Sequence, residues 1–324
     1  MVDHYNRTID YMRISVTDRC NLRCQYCMPE DIPSIPHEEI LSFEEILHIC
    51  RLAADLGIQK FKITGGEPFV RKGCLDFISE LKKVPGVSQV TVTTNGVLLA
   101  EYMPQLREIH PDGINISLDT LRADTFHHIT QRPYLPQVME GILACVESGI
   151  KTKINSVLLR GVNDHEFFDL VNLAKEYPVD VRFIEIMPIG SGQQYEGYSR
   201  QELITLLEER YPNGVRVSEI RGNGPADYIH FPDFKGCIGF IDAIHGKFCN
   251  SCNRVRLTAD GILKLCLYYQ NGIDLKHMVR TGEPDDQIRK AMEQAILKKP
   301  AEHQFHMDAR EGAKEMRRMS QIGG

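Results

Sequence analysis

Asp18-Arg-Cys-Asn-Leu-Arg-Cys-Gln-Tyr-Cys-Met28 sets Cys20, Cys24 and Cys27 in a C-x3-C-x2-C array. Thiolates are soft ligands that suit iron–sulfur clusters or zinc, and both kinds of site usually take four protein ligands. Three cysteines on one short loop fall one short. A cubane held by three leaves one iron open, and an open iron can bind a substrate. The competing reading is a structural zinc loop with a distant fourth ligand. Zinc pairs usually show C-x2-C at both ends, and this run does not.

Upstream of the loop, residues 11–17 alternate Met12, Ile14 and Val16 against Arg13 and Ser15, the pattern of a strand. Downstream, Ser42 with Glu45 three residues on is a capping box that opens a helix to about residue 56, stopped by Gly57. Strands are then expected at 60–64, 89–93, 113–117, 151–159 and 180–186, separated by helices at 75–83, 98–109, 135–148 and 165–176. Six β–α alternations call for a parallel sheet with helices outside it. A full barrel needs eight, so six make either an open doubly wound sheet or an incomplete barrel. Glycines and polar residues collect just past the strands' C-terminal ends, where parallel α/β folds place their sites.

After about residue 190 the alternation stops. A loop, a helix at 200–211 and a Gly-rich turn at 221–224 lead to Cys249, Cys252 and Cys266, a second triad spaced C-x2-C-x13-C. The bland reading is a zinc knuckle completed by His245 or His230. The sharper one is a second cluster with an open iron. Arg254 and Arg256 stand between its cysteines at strand spacing, which points two guanidiniums to one side. Structural zinc has no use for that, whereas an anionic ligand does. A helix at 283–298 and a polar tail ending in Gly323-Gly324 complete the chain, which is expected to divide at 1–190 and 191–324.

Composition narrows the class. The chain has 324 residues, 42% hydrophobic and 25% charged, as in ordinary globular proteins. Its net charge of −6 argues against a general nucleic-acid or anionic-membrane binder, so functional cations must be placed locally. No apolar run is long enough for a transmembrane helix, and the first residues lack a signal-peptide core. A cytoplasmic location is expected, where 10 cysteines are metal ligands or free thiols before they are disulfides. Cys50 and Cys145 fall in helical patterns that need only a small buried hydrophobe.

The first triad, with Tyr26 between its last two cysteines, resembles the radical S-adenosylmethionine (SAM) superfamily. The two triads in this order, with Phe-Cys-Asn-Ser-Cys-Asn-Arg-Val-Arg-Leu around the second, resemble its GTP 3′,8-cyclases of molybdenum cofactor biosynthesis. Ile-Thr-Gly-Gly-Glu-Pro (63–68), Thr-Thr-Asn-Gly (93–96), Asn-Ile-Ser-Leu-Asp (115–119) and Phe-Ile-Glu-Ile-Met-Pro (183–188) agree, and the likeness runs from about Arg13 to the end.

That resemblance implies an incomplete (β/α)6 TIM-like barrel and two [4Fe-4S] clusters. One is on Cys20, Cys24 and Cys27 with SAM capping its open iron. The other is on Cys249, Cys252 and Cys266 with its open iron toward the guanine of GTP. Tyr26, Gly66, Ser117 and Met187 would line the SAM site, and Glu67 can accept from the SAM ammonium. Arg13, Lys62, Thr93, Lys153, Arg254 and Arg256 would contact GTP. Lys62 stands where arginine is frequent, and a compact ammonium lacks the bidentate fork. Gly323 and Gly324 would enter the active site, with the terminal carboxylate toward Arg254. The implied reaction is removal of H-3′ of GTP by a 5′-deoxyadenosyl radical and closure of C3′ on C8. The implied partners are a low-potential electron donor and a downstream cyclic pyranopterin monophosphate synthase, with a homodimer allowed. The alternative is a radical SAM enzyme with an auxiliary cluster that acts on a peptide. Those usually carry more C-terminal cysteines.

Overall fold

Strands and helices alternate as the apolar periodicity requires, beginning with β1 (Tyr11–Ser15), α1 (Phe43–Asp55), β2 (Lys60–Thr64), α2 (Cys74–Lys82) and β3 (Gln89–Thr94). Then come α3 (Leu99–Ile109), β4 (Gly113–Ser117), α4 (Ala123–Thr130), α5 (Leu135–Ser148) and β5 (Thr152–Ser156). Helix α6 (Phe167–Glu176), β6 (Asp180–Ile184) and α7 (Arg200–Arg210) precede three short strands, β7 (Val215–Val217), β8 (Asp227–His230) and β9 (Ile238–Ile241). The last stretch holds β10 (Arg254–Leu257), β11 (Ile262–Lys264), β12 (Gly272–Asp274), α8 (Leu275–Arg280), α9 (Asp285–Leu297) and α10 (Met319–Ile322). This computed structural model describes residues 1–28, 34–219, 221–305, 315, 317 and 319–323.

The chain forms two compact units, each discontinuous in sequence. One comprises Met1–Asn21, Glu30–Thr93 and Cys249–Gly324; the other comprises Leu22–Pro29 and Thr94–Phe248. In the first unit the strands run β12-β11-β10-β1-β2-β3. The pairs β10–β1, β1–β2 and β2–β3 are parallel, and β10–β11 and β11–β12 are antiparallel. In the second they run β4-β5-β6-β9-β8-β7, parallel from β4 to β9 and antiparallel beyond. Late strands thus extend the strand array of each unit: β10 lies beside β1, and β9 lies beside β6.

Local chemistry explains the element ends. Ser42 and Glu45 form the expected capping box on α1, with Glu45 N–H to Ser42 Oγ at 3.1 Å and Ser42 N–H to Glu45 Oε2 at 2.7 Å. Strand β5 is shorter than 151–159. The Val157 N–H donates to Asp119 Oδ1 (2.8 Å) and the Leu159 N–H to Asn163 Oδ1 (2.8 Å), so side chains take the donors a ladder would use. Strand β6 stops at Ile184, two residues before the expected end. The next residue, Glu185, turns its carboxylate onto the N–H of Ile244 at 2.7 Å. Helix α4 was not apparent from sequence because Phe126 and Ile129 alone supply its large buried apolar side chains. Cys50, Cys74, Cys145 and Cys237 are all buried free thiols, and burial pushes Cys145 up to about 12.

The N-terminal segment is tied into the first unit by Arg7, which is 5% exposed. Its guanidinium pairs with Asp3 (2.7 Å) and donates to the carbonyls of Cys249 (2.9 Å), Lys299 (3.3 Å), Pro300 (2.7 Å) and Ala301 (2.9 Å). Arg7→Met strands a buried carboxylate and four carbonyls, and breaking a buried pair typically costs about 3–5 kcal/mol. Urea unfolding should show a loss of that order, and the Asp3→Asn/Arg7→Met double variant should lose less than the two single variants combined. Additive losses would mean that the pair is not coupled.

Candidate active site

Sheet register gathers cations that are far apart in sequence. In the first unit Lys264 pairs with Arg256, Arg256 with Arg13, Arg13 with Lys62, and Lys62 with Thr91. Cross-strand partners face the same side, so Lys264, Arg256, Arg13 and Lys62 form one row of four positive charges. Thr93, two positions beyond Thr91, has the same facing. Arg254 lies two residues before Arg256 and opposite Tyr11. Arg256 is 9% exposed. Burial, followed by the nearby charges of Arg13 and Arg254, depresses its pKa well below the usual arginine range. A guanidinium stays protonated in proteins, so a nearby anion is favoured at this row.

The tail reaches this row. Arg256 Nη1 donates to the carbonyl of Gly323. At φ +75°, a Cβ on Gly323 would sit 3.2 Å from Thr64 Cγ2 and 3.3 Å from Ser15 Cβ, so the position suits only glycine. Further back, Glu315 pairs with the fully buried Lys264, whose ammonium also donates to the Tyr269 carbonyl at 2.7 Å. Gly324 lies outside the described residues.

Cys249, Cys252 and Cys266 all belong to the first unit and are half-buried free thiols. Tetrahedral zinc, with Zn–S near 2.3 Å, needs sulfurs about 3.8 Å apart. Among the described residues, the triad whose ligand atoms lie within 4.8 Å of one another is Glu185, Asp242 and His245, not these sulfurs. The proposed fourth ligands are engaged elsewhere. His245 Nδ1 meets Glu185, and His230 Nδ1 faces the Gly236 carbonyl (3.4 Å) and Cys237 Sγ (3.8 Å). Burial raises Cys252, but Lys299 and Arg254 outweigh it and bring the thiol to about 7. A thiol lowered by two cations is disposed to ligate as thiolate.

The Cys20–Cys27 loop passes from the first unit into the second, with Cys24 and Cys27 in the second. Glycines seat its start. A Cβ on Gly65 would lie 2.5 Å from the Thr17 carbonyl, and one on Gly66 would collide with the Arg19 carbonyl. The N–H groups of Gly66 and Glu67 bond Thr17 O (2.7 Å) and Arg19 O (2.8 Å). The close approach that excludes side chains here is therefore to the chain's own segment leading into the cluster loop. Glu67 is 1% exposed and accepts from the Phe69 N–H at 3.1 Å.

In the second unit, Arg23 and Gln25 donate backbone N–H groups to Thr130 O (2.9 Å) and Ile129 O (3.0 Å), so the loop leans on the end of α4. Tyr26 Oη donates to Asp119 Oδ2 at 2.7 Å. Burial raises Asp119 to about 6 against the Tyr26 and Val157 donors, and burial also lifts Tyr26 well above its usual 10, with Asp119 and the cysteines adding to it. The proton stays on Tyr26.

Here too register aligns polar groups. Asn115, Lys153 and Asp180 form one row; Ser117, Asn155 and Arg182 form the next. Lys153 bonds Tyr228 Oη (2.7 Å), the Arg221 carbonyl and Asp180 (3.4 Å). Burial, then Arg182, lower it to about 7. Arg182 donates to Asn115 Oδ1 at 2.6 Å. Its Nε and Asn155 Oδ1 are buried without a hydrogen-bond partner among the described residues, as a site for a polar ligand requires. Met187 is half-buried just past β6. Sequence reasoning missed Asn155, Arg182 and Lys264. The available signal was the one that found Lys153: a polar residue at strand period among apolar ones.

Two family descriptions match the chain: Radical SAM superfamily over residues 14–174 and Molybdenum Cofactor Synthesis C over residues 179–305. A GTP 3′,8-cyclase of Clostridium perfringens is 42% identical over 325 residues, with 100% of both chains covered. One from Desulforamulus reducens is 44% identical over 329 residues, again with 100% of both covered. Among solved structures, Streptococcus suis SuiB bound to S-adenosylmethionine superposes with a TM-score of 0.63 at 15% identity, covering 87% of this chain and 68% of SuiB. At that identity the likeness speaks for a radical SAM fold alone.

The Tyr26–Asp119 bond can be tested by pH. Burial raises Asp119 above its ordinary 3.8, so its contribution to stability is present below that value and lost as pH rises through about 6. Tyr26→Phe removes a donor to the ionised carboxylate. The extra loss, about 1–3 kcal/mol, should appear at pH 8 and be small at pH 5. Equal losses in urea at both pH values would rule out the Asp119 carboxylate as the acceptor that matters.

Proposed function

The chain belongs to the GTP 3′,8-cyclase family of radical SAM enzymes, and on that premise we propose that it converts GTP to (8S)-3′,8-cyclo-7,8-dihydroguanosine 5′-triphosphate, the first step of molybdenum cofactor biosynthesis. Beyond family membership, one observation carries the reading: the in-register row of Lys264, Arg256, Arg13 and Lys62, with the Gly323 carbonyl on Arg256. In a chain of net charge −6, such a local concentration of cations suits a polyphosphate.

The donor sets fit the groups the family uses. Cys20, Cys24 and Cys27 would hold one [4Fe-4S] cluster, with Tyr26, Gly66, Glu67, Ser117 and Met187 around SAM. Bound there, SAM and its cluster supply the radical that takes H-3′. Cys249, Cys252 and Cys266 would hold the second cluster, with guanine at its open iron. The remaining work falls to side chains. Arg13, Lys62, Arg254 and Arg256 neutralise phosphate and orient the ribose, with Thr93 beside them; Lys153 and Arg182 present further cationic donors. Arg256, Lys153 and Arg182 are buried and Arg13, Lys62, Thr93 and Arg254 half-buried, which makes each contact stronger than it would be in water, and orientation removes much of the barrier. Gly323 would bound the substrate space through Arg256, and the family likeness assigns Gly324 a role beside it. We assign the radical chemistry to residues 1–190 and the second cluster to residues 191–324, with substrate contacts drawn from both. A low-potential electron donor and a cyclic pyranopterin monophosphate synthase are the proposed partners, and the cytoplasm the proposed location. No helix among the described residues is long and apolar enough to cross a membrane.

Anaerobic reconstitution followed by incubation with SAM, GTP and a reductant tests the reaction directly: the cyclised nucleotide and 5′-deoxyadenosine should form together. SAM cleavage that ignores GTP would overturn the substrate. Cys266→Ser should keep about four irons per chain and slow SAM cleavage while losing GTP binding; parent-like GTP affinity would make the second triad structural. Arg256→Ala should weaken GTP by about 1.5–3 kcal/mol at unchanged iron content, and loss of iron would reassign that arginine to cluster support.

A further inference from the structure

The turn after α9 packs a cation against the second triad. Lys299 is 3% exposed. Its ammonium donates to the carbonyl of Leu265, the residue before Cys266, and its charge favours the Cys252 thiolate. The backbone of the same turn is fixed from the other side. Arg7 holds the carbonyls of Lys299, Pro300 and Ala301, together with that of Cys249. A rigid clamp therefore grips the segment that carries the ammonium, and both clamp and ammonium touch residues at or beside the three cysteines.

The two buried cations differ in one respect. Arg7 has a carboxylate, Asp3, at 2.7 Å. The Lys299 ammonium has a carbonyl as its hydrogen-bond acceptor, and no carboxylate pairs with it among the described residues. A buried ammonium is strongly unfavourable unless an anion compensates it. Three thiolates outweigh the positive charge of an oxidised cubane core, and one-electron reduction adds a further negative charge. A cluster on this triad would be that anion. Hydrogen bonds to its sulfurs and nearby charge are the means by which a protein sets its potential.

We propose that Lys299 is the counter-ion of the cluster on Cys249, Cys252 and Cys266: a positioning residue whose ammonium donates to the Cys252 thiolate, retains the cluster and holds its reduction potential up. This rests on the reading that the triad carries a cluster.

The test uses the full chain, reconstituted anaerobically, with iron analysis and EPR-monitored redox titration. The second cluster's signal is the one absent from Cys266→Ser. Lys299→Met keeps the apolar stem and removes the charge, whereas Lys299→Arg keeps the charge. With both clusters loaded, Lys299→Met should lower the reduced-to-oxidised ratio of the second cluster at least tenfold at a fixed potential, about 59 mV for one electron. The first cluster should not move, and Lys299→Arg should stay within threefold of the parent. Loading of one cluster by Lys299→Met but two by Lys299→Arg also supports the proposal. An unmoved second midpoint in Lys299→Met, or failure of both variants to load, overturns it in favour of a residue needed for shape. A parent that holds only one cluster instead removes the reading beneath the proposal.

Discussion

Like charges held in one register are the constraint on which the first unit depends. Four cationic side chains, Lys264, Arg256, Arg13 and Lys62, share a row because β11, β10, β1 and β2 are hydrogen-bonded in register. Their mutual repulsion in a buried setting has to be offset. Glu315 answers at Lys264, and the Gly323 carbonyl offers a partial negative charge at Arg256. Both come from the tail, so the C-terminal residues act as an electrostatic part of the sheet. A bound triphosphate would complete the same neutralisation, which ties substrate affinity to where the tail sits.

The second triad extends this logic from phosphate to sulfur. Arg254 and Lys299 stand beside Cys252 and favour its thiolate over its thiol. Arg7, paired with Asp3, holds the surrounding carbonyls. An electropositive pocket around soft ligands suits a negatively charged cluster better than a neutral fold-stabilising contact. In the second unit the cluster loop is fixed by neutral means instead: backbone bonds to Ile129 and Thr130, and a Tyr26 hydroxyl on Asp119. Aspartate there does three jobs at once. Its Oδ2 receives Tyr26, its Oδ1 ends β5 at Val157, and its carbonyl takes Asn163 at 2.7 Å.

Much of this was legible before any coordinates. The β–α alternation, the Ser42 capping box, both cysteine triads and the strand placing of Arg254 and Arg256 follow from short-range patterns: periodicity, cap chemistry and ligand spacing. Each is local, because it reflects how a few residues satisfy backbone donors or line one face. Helix α4 escaped because a short polar helix with two large apolar anchors leaves almost no periodic signal. The ends of β5 and β6 escaped because Asp119, Asn163 and Glu185 capture backbone donors at a distance or across a turn.

The amino-acid sequence alone therefore determined which residues could ligate metal, which segments would be strands, and the family that both imply. Only the tertiary structure decided the neighbours: that β10 lies against β1 and β9 against β6, that Arg13 and Arg256 share a row, and that Lys299 meets the Leu265 carbonyl beside Cys266. Strand pairing joins residues more than two hundred positions apart through backbone hydrogen bonds that any side chain permits. No local pattern encodes which strand will be the partner, so the electrostatics of the site became visible only once the strands had paired.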